Sequence, residues 1–206
     1  MLNLLFTPRC PICQSKTKQP TLLCAHCHTQ LPWQESFEFY KQGISCYAPL
    51  TYDNQIKHFI KALKYKHQLR YAALLGNYLA QAIQTHYNDK PQLIIPVPLH
   101  KKRLRERGFN QSLELAKVIS RSTQIPINKT YFIRKKNTPP QAQCSKSSRK
   151  RNIKNAFTLQ QQLPAQHIIL LDDVITTGGT VIECFNTLHK KQPSLSIDIW
   201  AVAKAL

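Results

Sequence analysis

The sequence predicts an α/β protein: a mostly parallel sheet flanked by helices, preceded by a small knuckle of the kind a metal ion holds together. Three observations predict it. From residue 91 onward, short apolar runs alternate with helical stretches, the pattern of strands joined by crossover helices. One of those runs, Ile168 to Leu171, opens directly into an acidic pair and a Thr- and Gly-rich turn. Near the start, two Cys-x-x-Cys pairs stand ten residues apart. The expected division is a knuckle and linker over 1–45 and a main domain over 46–206. Within the main domain, 46–90 is basic and helical and 91–206 carries the binding core.

The knuckle is Cys10-Pro11-Ile12-Cys13 and Cys24-Ala25-His26-Cys27. Each pair can give two thiolates to one tetrahedral zinc, and the loop between them closes the site. So short a segment cannot fold on an apolar core, so the metal would stabilise it directly. A redox dithiol or an iron–sulfur cluster is the alternative chemistry, and His26 or His28 the alternative ligand. The knuckle serves either as a protein- or nucleic-acid-binding module or as a clip on the main domain. Cys46, Cys144 and Cys184 lack partners at ligand spacing and are read as free thiols.

Pro32, Trp33 and Gly43 mark a connecting segment. Asp53 is placed to cap a helix whose buried stripe is Ile56, Phe59, Ile60 and Leu63, with Lys57, Lys61 and Lys64 opposite. A second helix buries Tyr71, Leu75, Tyr78, Leu79, Ala82 and Ile83. Leu93 to Ile95 is a strand that ends in a stiff Pro96-Val97-Pro98 turn. The run Lys101 to Arg107 reads as a basic loop, followed by a helix from about Gln111 to Arg121. Tyr131 to Ile133 is a second strand, and 135–150 a polar, basic loop interrupted by Pro139 and Pro140. A strand over His167 to Leu171, a helix from about Thr180 to Lys190 and a strand over Leu195 to Ala203 complete the chain. No internal repeat is visible.

The 206 residues are enough for one ordinary domain and a small appendage. Twenty-nine Lys and Arg against ten Asp and Glu leave a formal charge of +19, too lopsided for a neutral metabolic enzyme. The excess is clustered, which favours a polyanion partner over a merely solvated surface. No apolar run approaches the roughly 20 residues of a membrane-spanning helix. Met1 to Phe6 is too short for a signal-peptide core. Hence no stable membrane insertion and a cytoplasmic location are expected, where an odd number of cysteines points to metal or free thiols.

Most of the chemistry lies in Ile168-Ile169-Leu170-Leu171-Asp172-Asp173-Val174-Ile175-Thr176-Thr177-Gly178-Gly179-Thr180. A buried strand delivers Asp172 and Asp173 to its carboxyl end, the edge where open α/β sheets bind ligands. Glycines allow amides to converge on one point, and a helix N-terminus adds a favourable dipole. Thr176, Thr177 and Thr180 add hydroxyls for the same phosphate, with Gly178 and Gly179 between them. The two carboxylates, a ribose-length away, can accept from sugar hydroxyls. A nucleoside-triphosphate loop is excluded, because no Gly-Lys-Thr or Gly-Lys-Ser follows.

This run resembles the phosphoribosyl pyrophosphate (PRPP) motif of type I phosphoribosyltransferases and implies their kind of sheet. In that family the turn corresponding to Val97, Pro98 and Leu99 cradles pyrophosphate through backbone amides. Arg103, Arg105 and Arg107 can neutralise the same group. Magnesium would come with PRPP, assisted by waters on Asp172 or Asp173. No residue identifies the acceptor.

The knuckle, Leu63-Lys64-Tyr65, Pro96-Val97-Pro98, Arg103 to Asn110, and Arg151-Asn152 with Ala156-Phe157 together resemble the ComF (ComFC) family of bacterial competence proteins. The resemblance runs from Cys10 to Ala203. It implies a role in natural transformation, handling incoming single-stranded DNA, and contact with other competence proteins of helicase-like or DNA-processing type. Lys57, Lys61, Lys64, Lys66, Lys101, Lys102 and the stretches 101–107 and 134–151 could follow a phosphate backbone. Tyr65, Tyr71 and Phe109 could stack bases, although aromatics at helical spacing are more often core, Tyr71 above all. The competing functions are nucleobase salvage without a DNA role, and a non-catalytic module that senses a nucleotide. Fold likeness does not establish catalysis.

Overall fold

The computed structural model describes residues 8–17, 23–35, 38–41, 44–137 and 153–205. Residues 138–150 of the loop expected over 135–150, Arg151-Asn152, Gly43, Cys144 and the apolar start lie outside the described residues.

Among the described residues the main sheet has six strands. β1 (Glu38–Lys41), β2 (Ile44–Tyr47), β8 (Ser196–Lys204), β7 (His167–Ile175) and β4 (Leu93–Pro96) lie side by side in that order, and β3 (Leu50–Thr51) pairs with β8. Every pair is parallel except β1 with β2. The expectation of a mostly parallel sheet therefore holds. β7 lies inside the sheet, aligned with β4 through Ile94↔Ile169 and with β8 through Leu170↔Ile199.

Alternation along β7 sorts the core into two layers. Ile169 and Leu171 face the layer built by α2 (Asn54–Lys66), α3 (Arg70–His86) and α5 (Gln111–Thr123). Ile168 and Leu170 face the other layer, built by α6 (Gly179–Lys191) and by β5 (Phe132–Arg134) with β6 (Phe157–Leu159). With helices on both faces, the strands can be apolar on both sides, which is why four consecutive residues of β7 are fully buried.

The helices follow their expected stripes. The Asp53 side chain accepts from the Ile56 amide at 2.8 Å, and Ile56, Phe59, Ile60 and Leu63 are buried. Tyr71 is core, stacked on Phe59 with ring centroids 4.8 Å apart.

Four expectations are corrected. Lys101 to Arg107 is not a loop but α4 (Lys101–Arg107), opened by the His100 side chain and closed at Gly108 with φ 81°. It buries no residue, so no apolar stripe announces it; good helix formers and two caps hold it at the surface. The second strand is shifted to Phe132–Arg134 and leaves the main sheet. It pairs antiparallel with β6, a strand not expected, because after a single bridge at Ile94↔Ile127 the chain turns away from β4. The connecting segment, for which no strand is expected, contributes β1, β2 and β3. Finally, β7 continues four residues past Leu171, so both aspartates are strand residues.

The knuckle is seated on the helical layer. Cys10, Leu23, Cys27 and Leu31 share one buried cluster with α2 and α3. Trp33 lies against Tyr78 of α3 with centroids 5.2 Å apart, and its indole N–H donates to the His28 carbonyl at 3.0 Å. Trp33 also bridges to Leu50, which ties the knuckle to the main sheet.

Candidate functional site

At the carboxyl edge of β7 the chain leaves Ile175, turns through Thr176 and Thr177, and enters α6 at Gly178. Gly178 is the N-cap, with φ 78°, and no side chain caps the helix. The first-turn amides of a helix have no acceptor within the helix, so an uncapped turn of this shape suits an anion. Thr176 is exposed, and Thr177, Gly179 and Thr180 are partly so. The five loop residues named from the sequence thus form one continuous turn.

The acidic pair is buried, Asp172 at 8% and Asp173 at 3% exposure, and its partners come from two helices. Ser112 Oγ donates to Asp172 Oδ1 at 3.0 Å, and the Asp173 amide reaches the same oxygen at 2.9 Å. Gln111 Nε2 donates to Asp173 Oδ1 at 3.0 Å, while Lys64 Nζ forms an ion pair with Asp173 Oδ2. Burial, followed by the Asp173 charge, pushes Asp172 up to about 7. Asp173 is held below the usual carboxylate value because Lys64 outweighs the burial that would raise it. Asp173 therefore carries the settled negative charge of the pair, while Asp172 passes from its protonated to its ionised form around neutral pH.

The basic residues divide. Arg103 and Arg107, four residues apart on α4, are partly buried, whereas Lys101, Lys102 and Arg105 are exposed. Arg107 donates to Gln111 Oε1 at 2.6 Å and lies over the Tyr65 ring, 5.4 Å from its centroid. Lys64, grouped in the sequence with Lys57 and Lys61, separates from them. They are exposed, while its ammonium is drawn onto Asp173 because it sits at the inward edge of α2. Tyr65 is 65% exposed. At the β4 end the Val97 amide is already bonded to the Leu171 carbonyl at 2.8 Å, and Pro98 has no N–H. A backbone-amide role in that turn is thereby narrowed to Leu99 and the residues after it.

Several site residues were not identified from the sequence. Gln111 and Ser112 open α5, where Asn110 caps the helix and also ties it to the Val97 carbonyl at 3.0 Å. Their helical position was legible, their contact with the aspartates was not. Arg134 of β5, grouped in the sequence with the basic stretch 134–151, is half-buried with its guanidinium over Phe157, and Asp172 and Arg103 lie in its electrostatic surroundings. Lys41, at the end of β1, lies against Gly178.

The cysteines form a separate centre. The four Sγ atoms of Cys10, Cys13, Cys24 and Cys27 lie within 4.8 Å of one another. Sulfurs about 3.8 Å apart surround a tetrahedral zinc, so the set fits that ion. Cys24 caps α1 (Ala25–Thr29), and the Ser15 hydroxyl beside Cys13 lowers that thiol to about 6, toward the thiolate a metal requires. Among the described residues this is the one group of side chains arranged to hold a metal. Cys46 and Cys184 are buried free thiols remote from it in sequence.

Comparisons with known proteins agree with this description. A family model described as a double zinc ribbon domain matches residues 1–37. Competence protein F of Haemophilus influenzae is 33% identical, the match covering 95% of this chain and 90% of that protein. DNA utilization protein YhgH of Escherichia coli is 29% identical over 96% and 90%. Competence protein ComFC of Bacillus subtilis is 25% identical over 95% and 78%. Adenine phosphoribosyltransferase from Leishmania tarentolae covers 88% of this chain at 12% identity with a TM-score of 0.42, a likeness from which no activity follows.

Fold and site define an α/β protein with a Thr- and Gly-rich loop at the carboxyl edge of its sheet and a four-cysteine zinc centre docked on its helical layer. The chain belongs to the competence protein F family. No described helix is long and apolar enough to cross a membrane.

Proposed function

We propose that this protein acts in competence by binding PRPP with magnesium at the Asp172–Thr180 edge and single-stranded DNA on the neighbouring basic surface, in the cytoplasm. The observation that carries the reading is one continuous unit: a buried parallel strand, two carboxylates at its end, and an uncapped helix entered through a left-handed glycine. The names of the relatives supply the cellular context.

In this reading Thr176 to Thr180 hold the 5-phosphate, while the acidic pair faces the ribose. Arg103 and Arg107 face the pyrophosphate, joined by the Leu99 amide. Magnesium, when bound, supplies a counter-charge to the pyrophosphate oxygens; Asp172 and Asp173, as hard oxygen donors, would hold its waters. Displacement of pyrophosphate from the anomeric carbon is the chemistry such a site supports. DNA would lie along Lys57, Lys61, Lys101 and Lys102 with Tyr65 as a stacking platform, and helicase-like or DNA-processing competence proteins are the expected partners.

Calorimetric titration of the zinc-loaded protein with PRPP and magnesium tests the reading. Saturable binding that is lost in Asp172→Ala/Asp173→Ala, with DNA affinity retained, is the expected result. Absence of PRPP binding by the wild type would make the loop a relic and leave the DNA surface as the function. A second reading, a non-catalytic sensor, draws on the internal engagement of Asp173 by Lys64 and Gln111. It predicts PRPP binding without pyrophosphate release for any acceptor.

A further inference from the structure

The phosphate loop has no lysine of its own in sequence, and the fold brings one to it from 137 positions upstream of Gly178. β1 is held antiparallel to β2 with Lys41 opposite Ile44, and β2 joins the sheet through β8, next to β7. This ladder lays the Lys41 side chain across the start of α6. A Cβ built on Gly178 would stand 2.8 Å from Lys41 Cγ and 3.1 Å from Lys41 Cε. The stem therefore occupies the space that a side chain at 178 would need, and it carries its ammonium one bond beyond Cε. Lys41 is only partly exposed, so its stem is packed and not freely swinging.

Two independent features of Gly178 coincide here. Its φ of 78° favours glycine for conformational reasons, and the Lys41 stem fills the space in which a side chain would otherwise stand. The same residue is the side-chain-less cap of α6. An uncapped helix start, hydroxyls from the turn and a laterally packed ammonium together make an anion site in which the charge is supplied by a different element from the amides.

We propose that Lys41 is a binding residue of the phosphate loop and contributes its ammonium to the 5-phosphate of the ligand. The inference rests on the reading of that loop given above. The segment following the zinc centre thereby becomes part of the binding site, and the ligand group it contacts is a phosphate monoester on a sugar. The pyrophosphate end of the ligand is served by α4 and is not contacted by Lys41.

Titration of the zinc-loaded full chain with three probes separates these statements: ribose 5-phosphate, PRPP with magnesium, and pyrophosphate with magnesium. Lys41→Ala should weaken ribose 5-phosphate and PRPP by the same factor, roughly 10- to 100-fold for one charge-assisted contact, and leave pyrophosphate binding unchanged. Lys41→Arg should restore most of the loss, and matching thermal midpoints would show that all variants are folded. Equal binding of the sugar phosphates by wild type and Lys41→Ala would overturn the proposal while leaving the loop reading intact. Loss confined to pyrophosphate, or shared with it, would also overturn it. Failure of the wild type to bind either sugar phosphate would remove the loop reading and this proposal together.

Discussion

The two aspartates are chemically identical side chains one residue apart, and their surroundings give them opposite tendencies. Asp173 is in direct contact with an ammonium and an amide donor, whereas Asp172 is hydrogen-bonded to a hydroxyl and a backbone amide and feels Lys64 and Arg134 only at a distance. The consequence for stability has a definite sign. Asp172 has its folded value raised to about 7, so between the unfolded carboxylate value and neutrality the native state holds a proton that the unfolded chain has released. Its contribution to stability is complete below that window and is lost as pH rises through it. Asp173 is shifted the other way, and its contribution disappears only in acid, as pH falls through its lowered value. Urea denaturation at several pH values should therefore show Asp172→Asn gaining stability relative to wild type as pH rises from about 4 to 8. A constant difference across that range would mean that Asp172 is not a proton acceptor in the native state.

At the scale of elements, α4 links the acidic site to the outer basic surface. Its inner face, through Arg107, reaches Gln111 and hence Asp173, while Lys101, Lys102 and Arg105 are directed to solvent. Reversing Lys101 and Lys102 to Glu should weaken single-stranded DNA binding and lower its salt slope by about one unit per lost phosphate contact, with PRPP affinity little changed. An unaltered slope would take α4 off the DNA path. The same helix shows what sequence could and could not reveal. Contiguous patterns are legible in the sequence, and these include Asp172 to Thr180, the four cysteines and the stripes of α2 and α3. α4 is not legible in the sequence because a helix with no buried face has no periodic signal. β1 to β3 escaped because strands of two to four residues are too short to show alternation. The engagement of Lys64, Gln111, Ser112, Arg134 and Lys41 depends on residues tens of positions away being brought together by the sheet, and nothing local announces that.

For the whole molecule the question is whether the zinc centre folds as a separate unit or as part of the main domain. Its residues do not merely touch the domain. Cys10, Leu23, Cys27 and Leu31 belong to the same buried cluster as Leu75, Tyr78 and Leu79, so loss of the metal would expose part of the main core. Backbone bonds from Gln34 to Pro49 and from Thr51 to Pro32 join the segment after the centre to the β3 region. The protein also carries a reporter for each part. Of its two tryptophans, Trp33 is 38% exposed at the seam, between His28 and Tyr78, and Trp200 is fully buried in β8. If the centre is a clip on a shared core, chelation of zinc or Cys24→Ser should shift Trp33 emission to the red first. It should also lower the thermal midpoint of the entire protein, because apolar surface on α3 then faces water. Trp33→Phe should abolish the early spectral change and leave the later Trp200 transition in place. Chelation that moved Trp33 without altering the Trp200 transition would instead describe two units that fold independently. In that case the zinc centre would be a module free to recognise its own partner, rather than a brace for the domain that carries the acidic pair and the Thr- and Gly-rich loop.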